Sequence, residues 1–297
     1  MTDLPVIQTH SLSKRYGRLE AVRGLDLAVA PGRITGFLGR NGAGKSTTIK
    51  MLLGMIRPTS GDGTVLGRRI GDPRESIELR RRVAFVSEDK GLYRYMTVEQ
   101  MVRFTSGFFP DWQPETAAAL LREYELPRAR KVKALSKGMR TKLALLLAFS
   151  RRSELLILDE PTEGLDPIGV EQLLQSLVAL SAQGTSVFFS SHQIAEVERI
   201  CDHVCMLDKG RLVLDVSLDD VRQQYRQIDV ILPSQASERD FQMAGVESVR
   251  TKGLQLSVFA SGNVDGITER ARDLHASSIQ VAPLGLREIF LQKAKEN

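Results

Sequence analysis

Short runs of apolar and β-branched residues recur along the chain, each closing on a glycine, a hydroxyl or an acid: RITGFLG, VAFVS, LLILDE and TSVFFSS. Continuous rather than alternating runs suit strands covered on both faces. Between them, apolar residues repeat at helical spacing, as in STTIKMLLGM and PETAAALLREYEL. Strand and helix patterns in alternation predict a parallel sheet covered by helices. Local signals sharpen this. Pro31-Gly32 makes a turn into RITGFLG, and a strand follows at 83 to 87. Thr97 with Gln100 resembles a capping box for a helix over 98 to 109, and Pro114 suits the first turn of the next. HVCMLDKGRLVLDV reads as a hairpin turning at Lys209-Gly210. After about Ser217 the pattern weakens: IDVILP, LQLSVFA and SIQVAP predict strands, and 264 to 274 and 286 to 294 predict helices. The division expected is a large domain over 1–216 and a small α/β appendage over 217–297.

The longest uninterrupted apolar run, Leu143 to Phe149, is seven residues, against the ~20 needed to cross a bilayer. MTDLPVIQTH has no basic region leading into an apolar core, so no secretory signal is expected and the cytoplasm is the expected location. The net charge of +5 is uneven: residues 217 to 297 hold 10 of the 41 Lys+Arg against 11 of the 36 Asp+Glu, which leaves 31 against 25 in residues 1 to 216. A negatively charged partner is suggested there, and phosphates or nucleic acid would both satisfy it. Cys201 and Cys205 are too few for a disulfide framework. Their spacing around His203 is a weak metal signal beside the ordinary reading of buried thiols.

GRNGAGKST, Gly39 to Thr47, fits a phosphate-binding loop between a strand and a helix. Through Gly39, Arg40, Asn41, Gly42, Ala43 and Gly44 the backbone can curl its N–H groups around a phosphate. Lys45 adds a positive charge and the Ser46 hydroxyl can ligate Mg²⁺, with Thr47 following. LLILDEPTEGLD, Leu155 to Asp166, adds two carboxylates at the end of a buried strand. Asp159 suits a metal and Glu160 an attacking water, because successive strand positions face opposite ways. RARKVKALSKGMRTKLALLLAF carries seven Lys/Arg and no acid between Arg128 and Lys142, then becomes a helix with Ser136 and Gly138 at its start. That arrangement could serve a phosphate, or could be a capped core helix with a solvated basic flank.

Over residues 6 to 215 the chain resembles the ATP-binding subunit of ABC transporters. The resemblance is carried by the phosphate loop, by LSKGM (Leu135, Ser136, Lys137, Gly138, Met139) as a variant of the signature LSGGQ, by Asp159 placed 23 residues after Ser136, by EGLD as D-loop and by SSH ending at His192. It implies an α/β P-loop NTPase of ABC type, with an N-terminal antiparallel β subdomain, a helical signature subdomain over about 92–150 and the small C-terminal α/β appendage. It also implies ATP and Mg²⁺ as cofactors, and two copies, or one copy and a paralogue, closed head to tail so that each signature completes the other's site. Glu160 is then the catalytic base, His192 contacts the γ-phosphate, Asp166 couples the sites and Tyr16 stacks on adenine. Tyr16 could instead pack a hairpin, and His192 could cap a helix. Lys137 and Met139 depart from the usual Gly and Gln.

VAFVSEDKGLY aligns with the family's Q-loop, with Glu88 in place of Gln; it is expected to reach Mg²⁺, the alternative being a solvated turn. Glu88 with LSKGM resembles the branch serving antibiotic- or cell-envelope-linked exporters in bacteria. The expected partner is a membrane-spanning permease, with the ATPase held at the inner face of the membrane and no direct nucleic-acid partner. The rival reading is a soluble ABC ATPase acting on nucleic acid or ribosomes.

Overall fold

The continuous apolar runs become strands buried on both sides. The computed structural model describes residues 4–234 and 237–296. The chain divides into two units, Met1–Asp215 and Val216–Asn297. In order, the first contains β1 (Ile7–Tyr16), β2 (Leu19–Val29), β3 (Ile34–Gly39), α1 (Lys45–Leu52), β4 (Ser60–Val65), β5 (Arg68–Arg69), α2 (Pro73–Arg82), β6 (Val83–Val86) and α3 (Val98–Ser106). It continues with α4 (Pro114–Glu123), α5 (Lys137–Phe149), β7 (Leu155–Asp159), α6 (Pro167–Ala182), β8 (Ser186–Ser191), α7 (Ile194–Ile200), β9 (His203–Asp208) and β10 (Arg211–Ser217), whose end passes the unit boundary.

A six-stranded sheet runs in the order β10-β9-β3-β8-β7-β6. Its β3, β8 and β9 pair in parallel, as do β6, β7 and β8. Every residue of β3, β7 and β8 is buried, which is why their sequences do not alternate. Parallel strands release their carboxyl ends at one edge, so the loops leaving Gly39, Val86, Asp159 and Ser191 all start from the same side of the sheet. Lys209 and Gly210 join β9 to β10 with φ of 45° and 82°, the left-handed pair that a two-residue turn between twisted strands requires. A second sheet, β2-β1-β4-β5, is antiparallel.

Between β6 and β7 lie α3, α4 and α5. Leu143 to Phe149 are all buried, so the longest apolar run is core. The Thr97–Gln100 capping box is present. The helix expected over 98 to 109 stops at Ser106: Gly107 ends it, and the Phe109 ring lies 3.5 Å from the Arg151 guanidinium. That guanidinium also donates to the carbonyls of Val83 and Arg81. The cation–π contact and these bonds favour the turn over another half-turn of helix.

The second unit contains α8 (Leu218–Gln224), β11 (Arg226–Ile231), β12 (Val246–Lys252), β13 (Gln255–Ala260), α9 (Val264–Asp273), β14 (Ser278–Pro283) and α10 (Leu286–Glu296). Its sheet is antiparallel in the order β12-β13-β11-β14. Ile228, Val230, Leu256 and Val258 pack with Phe241, Ile267 and Ala271. The polar strand β12, VESVRTK, lies outside the expected strands. Among the described residues no helix is long and apolar enough to cross a membrane.

Candidate functional site

Between β3 and α1 the chain turns through a loop that only glycine allows at two points. A Cβ on Gly44, at φ +108°, would sit 2.3 Å from the Ala21 carbonyl oxygen; one on Gly39 would sit 2.5 Å from that of Leu207. α1 begins with no side-chain cap, which leaves its first N–H groups and its dipole for an anion. Lys45 is buried, and its Nζ donates to the Gly39 carbonyl at 2.7 Å.

The same ammonium lies 3.1 Å from Glu160 Oε1. Glu160 Oε2 accepts from His192 Nδ1 at 2.8 Å, and because a carboxylate only accepts, Nδ1 carries the proton. Glu160 Oε1 is buried and accepts no hydrogen bond, and the neighbouring Lys45 ammonium offsets its charge. Glu160 also holds φ at +47°, a strained conformation for a side chain of its size. Three contacts pin that backbone. Its N–H donates to Ser190 Oγ at 3.0 Å, and its carbonyl accepts from the Glu163 N–H at 3.3 Å and from Lys90 Nζ at 3.4 Å. Ser190 Oγ in turn donates to Asp159 Oδ1 at 2.6 Å, across the β7–β8 pairing that sets Asp159 opposite Ser190.

A cleft of about 720 Å³ opens over the phosphate loop, Lys45 and Glu160. Tyr16 lines it, half exposed with Lys14 Nζ 5.2 Å from its ring centroid, as do Arg40, Asn41, Gly42, Gly44, Lys45, Ser46, Thr47, Glu88 and Glu160. Ala43 and Asp159 are buried and do not line the cleft. The predicted oxygen donors Ser46, Asp159 and Glu88 are a hydroxyl and two carboxylates, a set that suits a hard cation. The cleft is roomy and polar on the phosphate-loop side, as a nucleoside triphosphate requires.

The signature stretch stands outside this cleft. Ser136 caps α5, accepting from Met139 N–H at 3.1 Å, and Leu135 is buried. Gly138 lies so close to residue 164 that a Cβ would meet the Gly164 carbonyl oxygen at 2.6 Å. Lys137 donates to Glu163 at 2.5 Å, which holds the Glu163 carboxyl below its usual range. Lys137 borders a separate cleft of about 370 Å³, which Glu88 also lines. Asp166 caps α6, its Oδ1 accepting from Gly169 N–H at 2.7 Å. His192 caps nothing, since α7 begins at Ile194 with Gln193 at its N-cap.

Four residues of the site escape a reading by motif. Ser190 orders both carboxylates. Lys90 is half-buried, and that burial pushes its ammonium pKa down against the opposing pull of Glu163, Asp159 and Glu88. Lys209 reaches the cleft from the β9–β10 turn, where Gly210 N–H also donates to the Ala43 carbonyl at 2.9 Å. Glu196 accepts from Ser191 Oγ at 3.1 Å and Thr162 Oγ1 at 3.2 Å, joining the segments after β7 and β8, and burial pushes its carboxyl up. The sequence does carry a signal for Ser190 and Ser191: two hydroxyls closing an otherwise apolar strand.

Comparison with known proteins finds relatives both by sequence and by structure. The family model described as ABC transporter matches residues 22–163. An uncharacterised ABC transporter ATP-binding protein of Nostoc sp. is 36% identical over 230 residues, covering 73% of this chain and 68% of that one. The bacitracin transport ATP-binding protein of Bacillus licheniformis is 35% identical over 224 residues, covering 74% and 72%. A solved ATP-binding subunit of an ABC transporter superposes with a TM-score of 0.67 at 32% identity, covering 73% of this chain and 92% of that one.

Proposed function

This chain belongs to the ATP-binding, ATP-hydrolysing subunits of ABC transporters, and on that premise we propose that Glu160 is its catalytic base and that two copies share their ATP sites. The carrying observation is the Lys45–Glu160–His192 string, whose Lys45 and Glu160 line the cleft, 3.1 Å and 2.8 Å long in its two links. A carboxylate held between a lysine and a histidine, with a strained backbone pinned by Ser190, is positioned to take a proton from water. Lys45 and the loop N–H groups hold the β- and γ-phosphates, and Tyr16 offers its face to the base. Ser46, Asp159 and Glu88 would hold Mg²⁺, which when bound would neutralise phosphate charge.

None of Leu135 to Met139 lines the cleft of their own phosphate loop, which supports completion of the site by the signature of a second copy. Asp166 would lie near the shared boundary. A paralogous subunit could replace the second copy.

The ATPase powers a separate membrane-spanning permease and sits at the inner face of the membrane through it. An exposed string of aromatic rings, Tyr95, Tyr93, Phe104 and Phe108, with centroids 5.0 to 5.8 Å apart, supports a docking face beside Glu88. Export is the direction favoured by the Glu88 and LSKGM resemblance. Copurification from detergent-solubilised membranes tests the partner. A multi-spanning protein recovered with the chain is expected; recovery of ribosomes or nucleic acid instead would favour the soluble reading.

A further inference from the structure

The cysteine spacing around His203 points to Cys201 and Cys205, yet the fold gathers a different set. His203 and Cys205 project from the same face of β9, two residues apart, and Asp215 joins them from the neighbouring β10. His203 Nε2 lies 2.5 Å from Asp215 Oδ1 and Cys205 Sγ lies 3.4 Å from the same oxygen. All three donor atoms fall within 4.8 Å of one another. Cys201 is buried and stands outside the group.

We propose that His203, Cys205 and Asp215 form a binding site for a borderline-soft divalent metal ion of the zinc class. The donor set is an imidazole nitrogen, a sulfur and a carboxylate oxygen, which together suit zinc and exclude magnesium, a cation that takes oxygen alone. Four ligands at zinc distances sit roughly 3.3–3.8 Å apart. The three atoms reach that spacing by side-chain shifts of about an ångström, with the strands in place. Access is one-sided: Cys205 is fully buried, whereas the side chains of His203 and Asp215 are 34% and 40% exposed. An ion therefore enters from solvent against the sulfur and keeps a water as fourth ligand, as open three-ligand sites do. On binding, the Cys205 S–H bond breaks, a sulfur–metal bond forms and the proton leaves to solvent. The imidazole binds through the Nε2 lone pair with its proton on Nδ1. Thiolate and carboxylate supply two negative charges against the ion's two positive ones, so the half-buried site ends neutral.

Titration of the metal-free full chain with Co²⁺ tests the site, read by the near-ultraviolet thiolate-to-cobalt charge-transfer band. Only a cysteine ligand produces that band, so ions held by oxygen donors near Ser46 and Asp159 do not contribute. One equivalent of Co²⁺ is expected to saturate it, and Zn²⁺ to displace it. Cys205→Ser should abolish the band and Cys201→Ser should leave it, while His203→Gln and Asp215→Asn should each weaken Co²⁺ at least about tenfold. Parental basal ATPase activity in each variant reports an intact fold. If Cys205→Ser fails to fold, the other two substitutions decide. Absence of the band, its persistence in Cys205→Ser, its loss in Cys201→Ser, or affinities unchanged in both His203→Gln and Asp215→Asn would overturn the proposal.

Discussion

The Ser190 hydroxyl donates to Asp159 Oδ1 at 2.6 Å, and because it also accepts the Glu160 N–H at 3.0 Å, one buried side chain orders both carboxylates of the site. Ser190→Ala leaves a buried carboxylate oxygen and a buried N–H without that partner. The expected cost is about 1–3 kcal/mol of stability. ATPase activity should fall further than the lowered thermal midpoint explains. Unchanged activity would mean the Glu160 backbone is held by other contacts.

Ser136 stands outside its own chain's cleft, so Ser136→Arg should cripple hydrolysis with little loss of ATP binding to an isolated subunit. Mixed with Lys45→Ala subunits, a head-to-tail pair contains one site carrying both defects and one carrying neither. Partial recovery of ATPase activity is the expected result. No recovery in proven heterodimers would argue for sites built within one chain.

Glu88 borders both clefts, one with the phosphate loop and one with Lys137. As a metal ligand it tolerates Gln, whose carbonyl oxygen still reaches the ion, but not Ala. ATPase rate measured against Mg²⁺ should therefore shift to a higher requirement in Glu88→Ala and stay near parental in Glu88→Gln. Three superimposable curves would make SEDK a solvated turn.

Much of this is legible in the chain itself, because phosphate loops, strand-end carboxylates and helix caps are local. Gly39 to Thr47, Asp159 and Glu160 are legible because each follows or ends an apolar run that announces its own strand. The roles of Ser190 and Glu196 are not legible in this way: Ser190 matters through strand pairing with a residue 31 positions away, and Glu196 through Thr162, 34 positions away. The helix over 98 to 109 is overextended in a sequence reading because the Phe109–Arg151 contact that bends the chain spans the whole helical segment. β12 escapes because VESVRTK places no strong apolar residue at alternate positions, its pairing with β13 supplying the order instead.

Glu196 gives a pH signature. Burial is the leading cause of its raised pKa, with Ser191 and Thr162 donating to it and Glu160 and His192 as the charged neighbours. A raised carboxyl favours the folded state while protonated. That contribution is complete below the ordinary value of 4.5 and is lost as pH rises through the folded value, at about 1.4 kcal/mol for each unit of difference. Glu196→Gln has no such loss. Its thermal midpoint should gain on the parent as pH rises from about 4.5 toward neutrality. Parallel profiles would place the Glu196 carboxyl at its ordinary value.

ATP turnover in Glu160→Gln bears on the catalytic assignment without intermediate steps. The amide keeps the shape between Lys45 and His192 but cannot take a proton from water. Turnover should fall by at least about 100-fold while ATP binding persists, and ATP should accumulate a stable dimer on a sizing column. Hydrolysis at the parental rate would show that Glu160 is not the base and that the Lys45–Glu160–His192 string does not carry the chemistry.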